Sequence, residues 1–245
     1  MPDVFSLQGK TILVTGASSG LGRQCAVTIS RHGGTVVITG RDEGRLRETL
    51  LSLEGDGHRH IIADLTNREQ ITALVGVLPG LNGVVYSTGI SDLSPARFIK
   101  EEDIVKTFKI SFEASVLLTS ELLARKKLQN HACSLVFISS ISTRYPFVGG
   151  AMYISAKAAL EAYAKVLALE LAPKGIRSNS LSPAFVRTPM LDSTAENYSE
   201  EAVRKIEQQQ PLGLGEPEDV ANTVVFFLSD ASKWITMTNL ILGGG

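Results

Sequence analysis

A tyrosine and a lysine four residues apart, Tyr153 and Lys157, are the residues of this 245-residue chain best suited to acid–base chemistry. They lie in a segment of helix-forming residues that continues to about Ala172, so their side chains are predicted to share one face of a helix. A phenol with a pKa of about 10 is a poor proton donor or acceptor near neutrality. An ammonium group about 4 Å away is worth roughly 4 kcal/mol at an effective dielectric near 20, which brings the predicted phenol pKa close to 7. None of the four other tyrosines has a lysine at this spacing, although such a pair also arises by chance on exposed helices.

A second candidate is Ser140, which follows the apolar run Leu135-Val-Phe-Ile and one further serine. Ligands of open parallel sheets bind beyond the carboxyl ends of the strands, so the Ser140 hydroxyl is placed to donate to a substrate oxygen. The alternative is a serine that only satisfies backbone groups at a strand end.

A glycine-rich turn follows the apolar run near the N-terminus, with glycines at 16, 20 and 22. Glycines let the backbone bend tightly and approach a pyrophosphate, and the N–H groups at the start of a following helix favour anionic oxygens. This turn is predicted to hold the phosphates of a nucleotide. An ordinary turn between a strand and a helix is the alternative, because the spacing differs from the commoner Gly-x-Gly-x-x-Gly.

Strands and helices that alternate along the chain must position these residues. Apolar strand-like runs recur, and long segments with helical periodicity lie between most of them. The alternation predicts right-handed βαβ units and an α/β fold, a doubly wound parallel sheet of about seven strands with helices on both faces. We expect one domain over 1–245, since no linker or repeat divides the chain. The predicted strands are 11–15, 35–39, 59–63, 83–87, 134–139, 176–181 and 239–242.

The stretch 185–210 interrupts this rhythm. It carries Pro189, Met190 and Leu191, then a polar, acidic run before Pro211. A mobile lid over a substrate pocket is one interpretation, and a solvated surface insertion is the other.

Composition restricts the class of protein. The formal net charge of −1 argues against nucleic acid or an anionic membrane as the main partner. The N-terminus lacks a secretory signal pattern and no apolar run reaches the roughly 20 residues of a membrane span, so a cytoplasmic protein is expected. The four histidines and two cysteines lack the spacing of metal ligands, and no metal site is predicted.

Taken in order, Thr15-Gly16-x-x-x-Gly20-x-Gly22, Ser140, Tyr153 and Lys157 resemble the nucleotide turn and the catalytic centre of the short-chain dehydrogenase/reductase family. The resemblance covers almost the whole chain. It implies a Rossmann-like fold and hydride transfer between a nicotinamide cofactor and a carbonyl compound or alcohol. In the reduction, Tyr153 would donate the proton, Lys157 would lower the phenol pKa and orient the ribose, and Ser140 would bind the carbonyl oxygen.

The resemblance also assigns cofactor contacts. Asp64 and Leu65 would hold the adenine, and Val186 and Thr188 would hold the nicotinamide carboxamide. The full predicted cofactor site consists of Gly16, Ser18, Ser19, Gly20, Leu21, Gly22, Arg41, Asp64, Leu65, Ser87, Gly89, Tyr153, Lys157, Pro183, Val186 and Thr188.

Three positions depart from the family pattern. Tyr86-Ser-Thr-Gly89 stands where the family has Asn-Asn-Ala-Gly, and Pro183 is followed by Ala184 rather than glycine. Ser111 stands where the family has a fourth catalytic residue, an asparagine that helps to hold a proton-relaying water. A serine can still bind water or distort a helix by bonding back to a carbonyl, so a slower proton relay is expected.

The end of the second strand predicts the choice of cofactor. Relatives that prefer NAD place an acidic residue where this chain has Gly40, and Arg41 follows it. A guanidinium pairs strongly with a 2′-phosphate, which favours NADP(H). The alternative is that Arg41 is only a solvated loop charge.

The sequence therefore predicts an NADP(H)-dependent oxidoreductase acting on a small-molecule ketone or secondary alcohol. Reduction of a 3-oxoacyl group on acyl carrier protein is the first candidate, and a sugar, polyol or cell-envelope precursor ketone is the second. A low-turnover NADP-binding sensor or assembly subunit is the rival from another class, because of Ser111 and the altered 86–89 motif. The resemblance places helices at 101–128 and 153–173 in a two-fold interface, so a homotetramer or homodimer is expected.

Overall fold

The computed structural model of the chain describes residues 3–191 and 210–243. Within these ranges, seven parallel strands form one sheet in the order β3-β2-β1-β4-β5-β6-β7. The strands are β1 Thr11–Thr15, β2 Thr35–Gly40, β3 Arg59–Ile62, β4 Gly83–Tyr86, β5 Ser134–Ile138, β6 Arg177–Pro183 and β7 Asn239–Leu242.

The strand order reverses between β1 and β4, because the chain moves outward from β1 to β3 and then returns to the other side of β1. A reversal of this kind leaves a crevice at the carboxyl ends of the two central strands. The glycine turn after β1 and Ser140 after β5 were predicted to lie at this edge.

Helices cover both faces of the sheet. They are α1 Gly20–Arg31, α2 Glu43–Leu51, α3 Arg68–Val77, α4 Glu101–Phe108, α5 Ala114–Ala124, α6 Ala151–Leu171 and α7 Pro217–Leu228. Successive residues of a strand point to opposite faces, so Leu13 packs into the core beneath α3, α5 and α6, whereas Val14 packs into the core beneath α1 and α7. The doubly wound α/β fold predicted from the sequence is confirmed.

The helix predicted at 101–128 differs in detail. A π-helical turn, Lys109–Glu113, separates α4 from α5, and α5 ends at Ala124. Lys126 then adopts a φ of 52°, which directs the chain out of the helix. The other predicted boundaries shift by smaller amounts. β6, for example, extends to Pro183, because this part of the strand pairs with β7.

Three further features bear on earlier expectations. The proposed lid at 185–210 lies mostly outside the described residues, which include only 185–191 and 210 of it. In the described part of the chain, no helix combines the length and apolarity needed to cross a bilayer. In the same part, no cluster of histidine, cysteine, aspartate or glutamate has the composition of a metal site.

Candidate active site

A groove runs along the carboxyl edge of the sheet and brings most of the predicted site together. Its walls include fourteen predicted residues: Gly16, Ser18, Ser19, Gly20, Leu21, Gly22, Arg41, Asp64, Leu65, Ser87, Gly89, Tyr153, Lys157 and Thr188. Ser140, Pro183 and Val186 line an adjoining pocket that shares Leu21, Tyr153 and Thr188 with the groove.

The glycine turn has the conformation that a phosphate site needs. Gly16 and Gly20 adopt φ values of 64° and 52°, which strongly favour glycine. A Cβ at Gly22 would clash with the Gly16 carbonyl, so the turn and helix α1 can pack this closely only with glycine there. Ser19 occupies the N-cap position of α1 without a side-chain cap, which leaves backbone N–H groups of the first turn available to an anion.

The end of β2 forms the floor of the groove near its outer end. Gly40 leaves this space open, although a Cβ there would meet only ordinary contacts, 3.6 Å from the Ser18 hydroxyl oxygen and 3.6 Å from a Leu46 methyl carbon. Arg41 and Arg45 both line the groove here. Arg45 was missed by the sequence analysis, although its position in the first turn of the helix after β2 places it at the same edge.

The β4 motif that departs from the family pattern is well packed. The ring of Tyr86 stacks on Phe137 with centroids 4.2 Å apart and planes within 1° of parallel. Its hydroxyl shares a 2.6 Å hydrogen bond with Thr119. Tyr86 therefore acts as a core residue, and burial raises the pKa of its phenol.

The remainder of the motif faces the groove. The Ser87 backbone N–H donates to the Thr15 hydroxyl over 3.1 Å. Thr88 lines the groove, and its buried Oγ1 has no hydrogen-bond partner among the described residues. A buried hydroxyl without a partner is unfavourable, which suits a site that receives a polar ligand.

Tyr153, Lys157 and Ser140 meet where the groove joins the adjoining pocket. Tyr153 and Lys157 lie one turn apart on α6, with the lysine Nζ 5.9 Å from the centre of the tyrosine ring. Tyr153 and Ser140 both line the adjoining pocket. Ser140 itself is buried at the N-cap of a short 3-10 turn, Ile141–Thr143, and its Oγ accepts from the Ser142 N–H over 3.2 Å.

The predicted lowering of the Tyr153 pKa by Lys157 is wrong for this arrangement. Burial raises the pKa of the phenol, and the nearby Ser140 side chain only partly opposes that effect. The lysine Nζ instead donates to the Ile138 carbonyl over 2.8 Å, and burial lowers the pKa of its ammonium group to about 8. Spacing on a helix places two residues on one face but does not determine where the ammonium group bonds.

Ser111 lies behind the wall of the groove. It is fully buried in the π-helical turn, and its Oγ accepts a hydrogen bond from the Ile90 N–H over 3.2 Å. A Cβ at Gly89 would lie 3.7 Å from this oxygen and 3.2 Å from Lys157 Nζ, so both polar groups lie next to Gly89. The Ser111 hydroxyl thus contacts the loop after β4 and still has a proton to donate.

The adjoining pocket combines the Ser140 hydroxyl with apolar side chains. Phe147 lines it from the loop before α6, and Phe185 and Met190 line it from the chain after β6. Of the predicted nicotinamide contacts, Thr188 borders both cavities and Val186 borders the pocket. The arrangement places a hydroxyl and a phenol at the end of a mainly apolar cavity.

Glu161 is a further residue that the sequence analysis missed. It lies one turn after Lys157 on α6, and one of its carboxylate oxygens accepts hydrogen bonds from three hydroxyls. These hydroxyls come from segments distant in sequence, so no local pattern marks the cluster.

Comparison with known proteins agrees with this geometry. A family model described as Enoyl-(Acyl carrier protein) reductase matches residues 16–245. The chain is 35% identical over 243 residues to the 3-oxoacyl-(acyl-carrier-protein) reductase of Rickettsia felis, covering 99% of this chain and 98% of that protein. It is 32% identical to the D-erythrulose reductase of Gallus gallus, covering 100% of this chain and 98% of that protein.

A solved structure shares the architecture. A single-residue variant of actinorhodin polyketide ketoreductase with NADPH superposes with a TM-score of 0.89 at 26% identity, covering 100% of this chain and 98% of that chain. Its fold extends over the same elements that form the groove and pocket described above.

Proposed function

Because the chain belongs to the short-chain dehydrogenase/reductase family and is an oxidoreductase of that family, we propose that it interconverts a ketone and a secondary alcohol with NADP(H). The observation that carries the proposal is the meeting of Ser140, Tyr153 and Lys157 at the junction of the glycine groove and the apolar pocket. The groove would hold the cofactor, and the pocket would hold the substrate.

The groove offers hydrogen-bond donors where a bound dinucleotide would place its phosphates and ribose. The N–H groups at the start of α1 would bind the pyrophosphate, and Asp64 and Leu65 would border the adenine. The unpartnered Thr88 hydroxyl and the Lys157 ammonium group would face the nicotinamide ribose side. A dinucleotide held there would supply the hydride for the substrate carbonyl carbon.

The proton comes from the chain. Ser140 would donate a hydrogen bond to the carbonyl oxygen, and Tyr153 would transfer its phenolic proton to that oxygen as negative charge develops. Because burial raises its pKa, the phenol carries its proton near neutrality and would release it only as negative charge develops on the carbonyl oxygen. Lys157, anchored on Ile138, would orient the ribose and help to replace the proton. The reverse reaction uses the same groups.

Preference for NADP(H) over NAD(H) rests on charge at the outer end of the groove. Arg41 and Arg45 both line it, and Gly40 brings no carboxylate that would repel a phosphate. Arg45 contacts Asp42 at 3.5 Å, an exposed ion pair that a 2′-phosphate can displace at little cost.

A 3-oxoacyl thioester is the substrate class that the pocket favours. Ile141, Phe147, Phe185 and Met190 give it apolar walls, which suit an acyl chain next to the reacting ketone. The similarity to a reductase of 3-oxoacyl groups supports the same class.

A small ketose is the second candidate, because the chain resembles a D-erythrulose reductase over its whole length. A ketose carries several hydroxyls that would need partners in the pocket. Besides the reacting Ser140 and Tyr153, its lining offers the hydroxyls of Ser91, Ser139, Ser142 and Thr188 among mainly apolar side chains. The apolar walls therefore favour the acyl substrate.

Initial rates of NADPH oxidation with acetoacetyl-CoA and with erythrulose test the proposal. We expect the larger kcat/KM with the thioester. A larger kcat/KM with erythrulose would make the second candidate the correct one, and no turnover of any ketone despite NADPH binding would favour the sensor.

A further inference from the structure

We infer that Glu161 is a positioning residue that fixes Ser140 in the active site, an inference that rests on the proposed ketoreductase function. Its Oε1 lies 2.6 Å from the Ser139 hydroxyl, 2.8 Å from the Thr143 hydroxyl and 3.0 Å from the Ser182 hydroxyl. These groups come from the end of β5, the 3-10 turn after it and the end of β6.

Two of the three donors bracket Ser140. Ser139 precedes it directly and Thr143 follows it by three residues, so one carboxylate oxygen holds the chain on both sides of the reacting hydroxyl. Ser182 joins the neighbouring strand to the same oxygen and also contacts Asn239 over 2.9 Å. The cluster ties the segment carrying Ser140 to β6 and β7.

Glu161 belongs to the same helix face as the other reacting groups. Tyr153, Lys157 and Glu161 follow one another at intervals of four residues on α6, so a rigid helix connects the phenol to the carboxylate. The hydroxyl cluster therefore sets the position of Ser140 relative to Tyr153. Neither Tyr153 nor Lys157 needs to contact Glu161 for this effect.

The Glu161 carboxylate has these hydroxyls, and not a cation, as its partners in the described part of the chain. Among residues 3–191 and 210–243, no lysine, arginine or histidine forms an ion pair with Glu161. Hydrogen bonds from neutral donors to an ionised acceptor are short and strong, and three of them satisfy a half-buried charge. Without Glu161 the three hydroxyls would turn to the separate acceptors beside them, the Lys157 carbonyl, the Ser140 carbonyl and Asn239 Oδ1. No single atom would then join the three segments, and the turn that carries Ser140 would shift.

Two substitutions at Glu161 distinguish the contribution of its acceptor oxygen from that of its negative charge. Glu161→Ala removes the acceptor and should lower kcat by about 30- to 100-fold, since a displacement of about 1 Å can reduce rates about 100-fold. Glu161→Gln keeps an acceptor oxygen at the same reach and should retain kcat within about tenfold, because weaker neutral bonds replace charge-assisted ones. The Kd for NADPH should stay within about threefold in both, because Glu161 lies outside the groove.

A double-mutant cycle tests whether Glu161 acts through Ser140. In a Ser140→Ala background, Glu161→Ala should reduce kcat by less than about threefold, because the hydroxyl that it positions is already absent. A residue that only stabilises the fold would reduce kcat by the same factor in both backgrounds, and that result would overturn the inference. So would a Glu161→Ala variant with kcat within twofold of the parent, or a Glu161→Gln variant as impaired as Glu161→Ala.

Glu170→Ala is the matched control, because it removes the same side chain from an exposed site on the same helix. It should leave kcat unchanged. Should Glu161→Ala fail to fold, Thr143→Val and Ser182→Ala each remove one donor and should show smaller losses of kcat that vanish in the Ser140→Ala background.

Failure of the inference differs from failure of the proposed function. If the parent is active and Glu161→Ala lowers kcat by the same factor with and without Ser140, only the role of Glu161 is overturned. An inactive parent that binds NADPH overturns the ketoreductase proposal, and the role of Glu161 with it.

Discussion

Lys157 donates a hydrogen bond from Nζ to the carbonyl oxygen of Ile138 over 2.8 Å. The bond fastens the second turn of α6 to the last residue of β5, directly before the segment that carries Ser140. It holds a buried ammonium group at the wall of the groove, where burial lowers its pKa to about 8.

This buried lysine makes stability depend on pH. Between the folded-state pKa of about 8 and the unfolded value of 10.5, the unfolded chain binds the proton that the folded chain has lost. The free energy of unfolding should therefore rise with pH across this window, by a total approaching about 3 kcal/mol. Below about pH 8 the full destabilisation by the buried charge is present.

Urea unfolding of the parent and of Lys157→Met at about pH 7.5 and about pH 10 measures the effect. Other titrating groups cancel in the difference between the two proteins. The parent should gain stability relative to the variant at the higher pH, and a difference that is the same at both pH values would contradict the shifted pKa.

The same region shows what the sequence can and cannot predict. The apolar runs and the glycine turn predict the strands and the groove, because burial on both faces and tight turns restrict residue type locally. Nothing in the spacing of Tyr153 and Lys157 indicates that the ammonium group bonds to Ile138. The π-helical turn around Ser111 and the cluster at Glu161 depend on segments that only the folded chain brings together.

The residue at position 40 should determine the preference between NADPH and NADH. The parent should use NADPH with a higher kcat/KM than NADH, and Gly40→Asp should shift preference toward NADH by about 1 to 3 kcal/mol, the scale of a charged hydrogen bond gained or opposed. The added side chain fits, since its Cβ would meet only ordinary contacts at 3.6 Å. Comparing kcat/KM for the two cofactors in both proteins measures this shift.

Gly76→Asp is the control, because it adds a carboxylate at an exposed helix position outside the groove. It should not change the preference. Equal use of NADPH and NADH by the parent would be evidence against a 2′-phosphate site at Arg41 and Arg45.

Ser111→Asn should leave kcat unchanged or raise it. Position 111 would only help to replace the proton through water, and an amide oxygen can still accept from the Ile90 N–H. If proton relay limits the parent, the solvent isotope effect on kcat should shrink in the variant. A fall in kcat beyond about 10²-fold with NADPH binding intact would give Ser111 a direct acid–base role.

Ser111→Ala provides the comparison. It removes the acceptor for the partly buried Ile90 N–H, which should lower the free energy of unfolding by about 1 kcal/mol. Its kcat should fall below that of Ser111→Asn.

The chain should form a homotetramer or homodimer. Ala162, Val166 and Leu169 are exposed on one stripe of α6, with Val166 and Leu169 exposed by 49% and 66%. Such a stripe is suited to burial against a second copy. Light scattering at micromolar concentration measures the mass, Leu169→Glu should lower it, and a monomeric parent would refute the expectation.

Tyr153→Phe tests the central claim most directly. The change deletes the proton donor and leaves the glycine turn intact, so turnover of acetoacetyl-CoA should fall by at least about 10²-fold while the Kd for NADPH stays within about threefold. The decisive measurement is kcat for NADPH oxidation by the parent and the variant, with NADPH affinity measured on the same samples. Near-complete loss of turnover with unchanged affinity is the predicted result, and a variant whose kcat stays within tenfold of the parent would show that another acid supplies the proton.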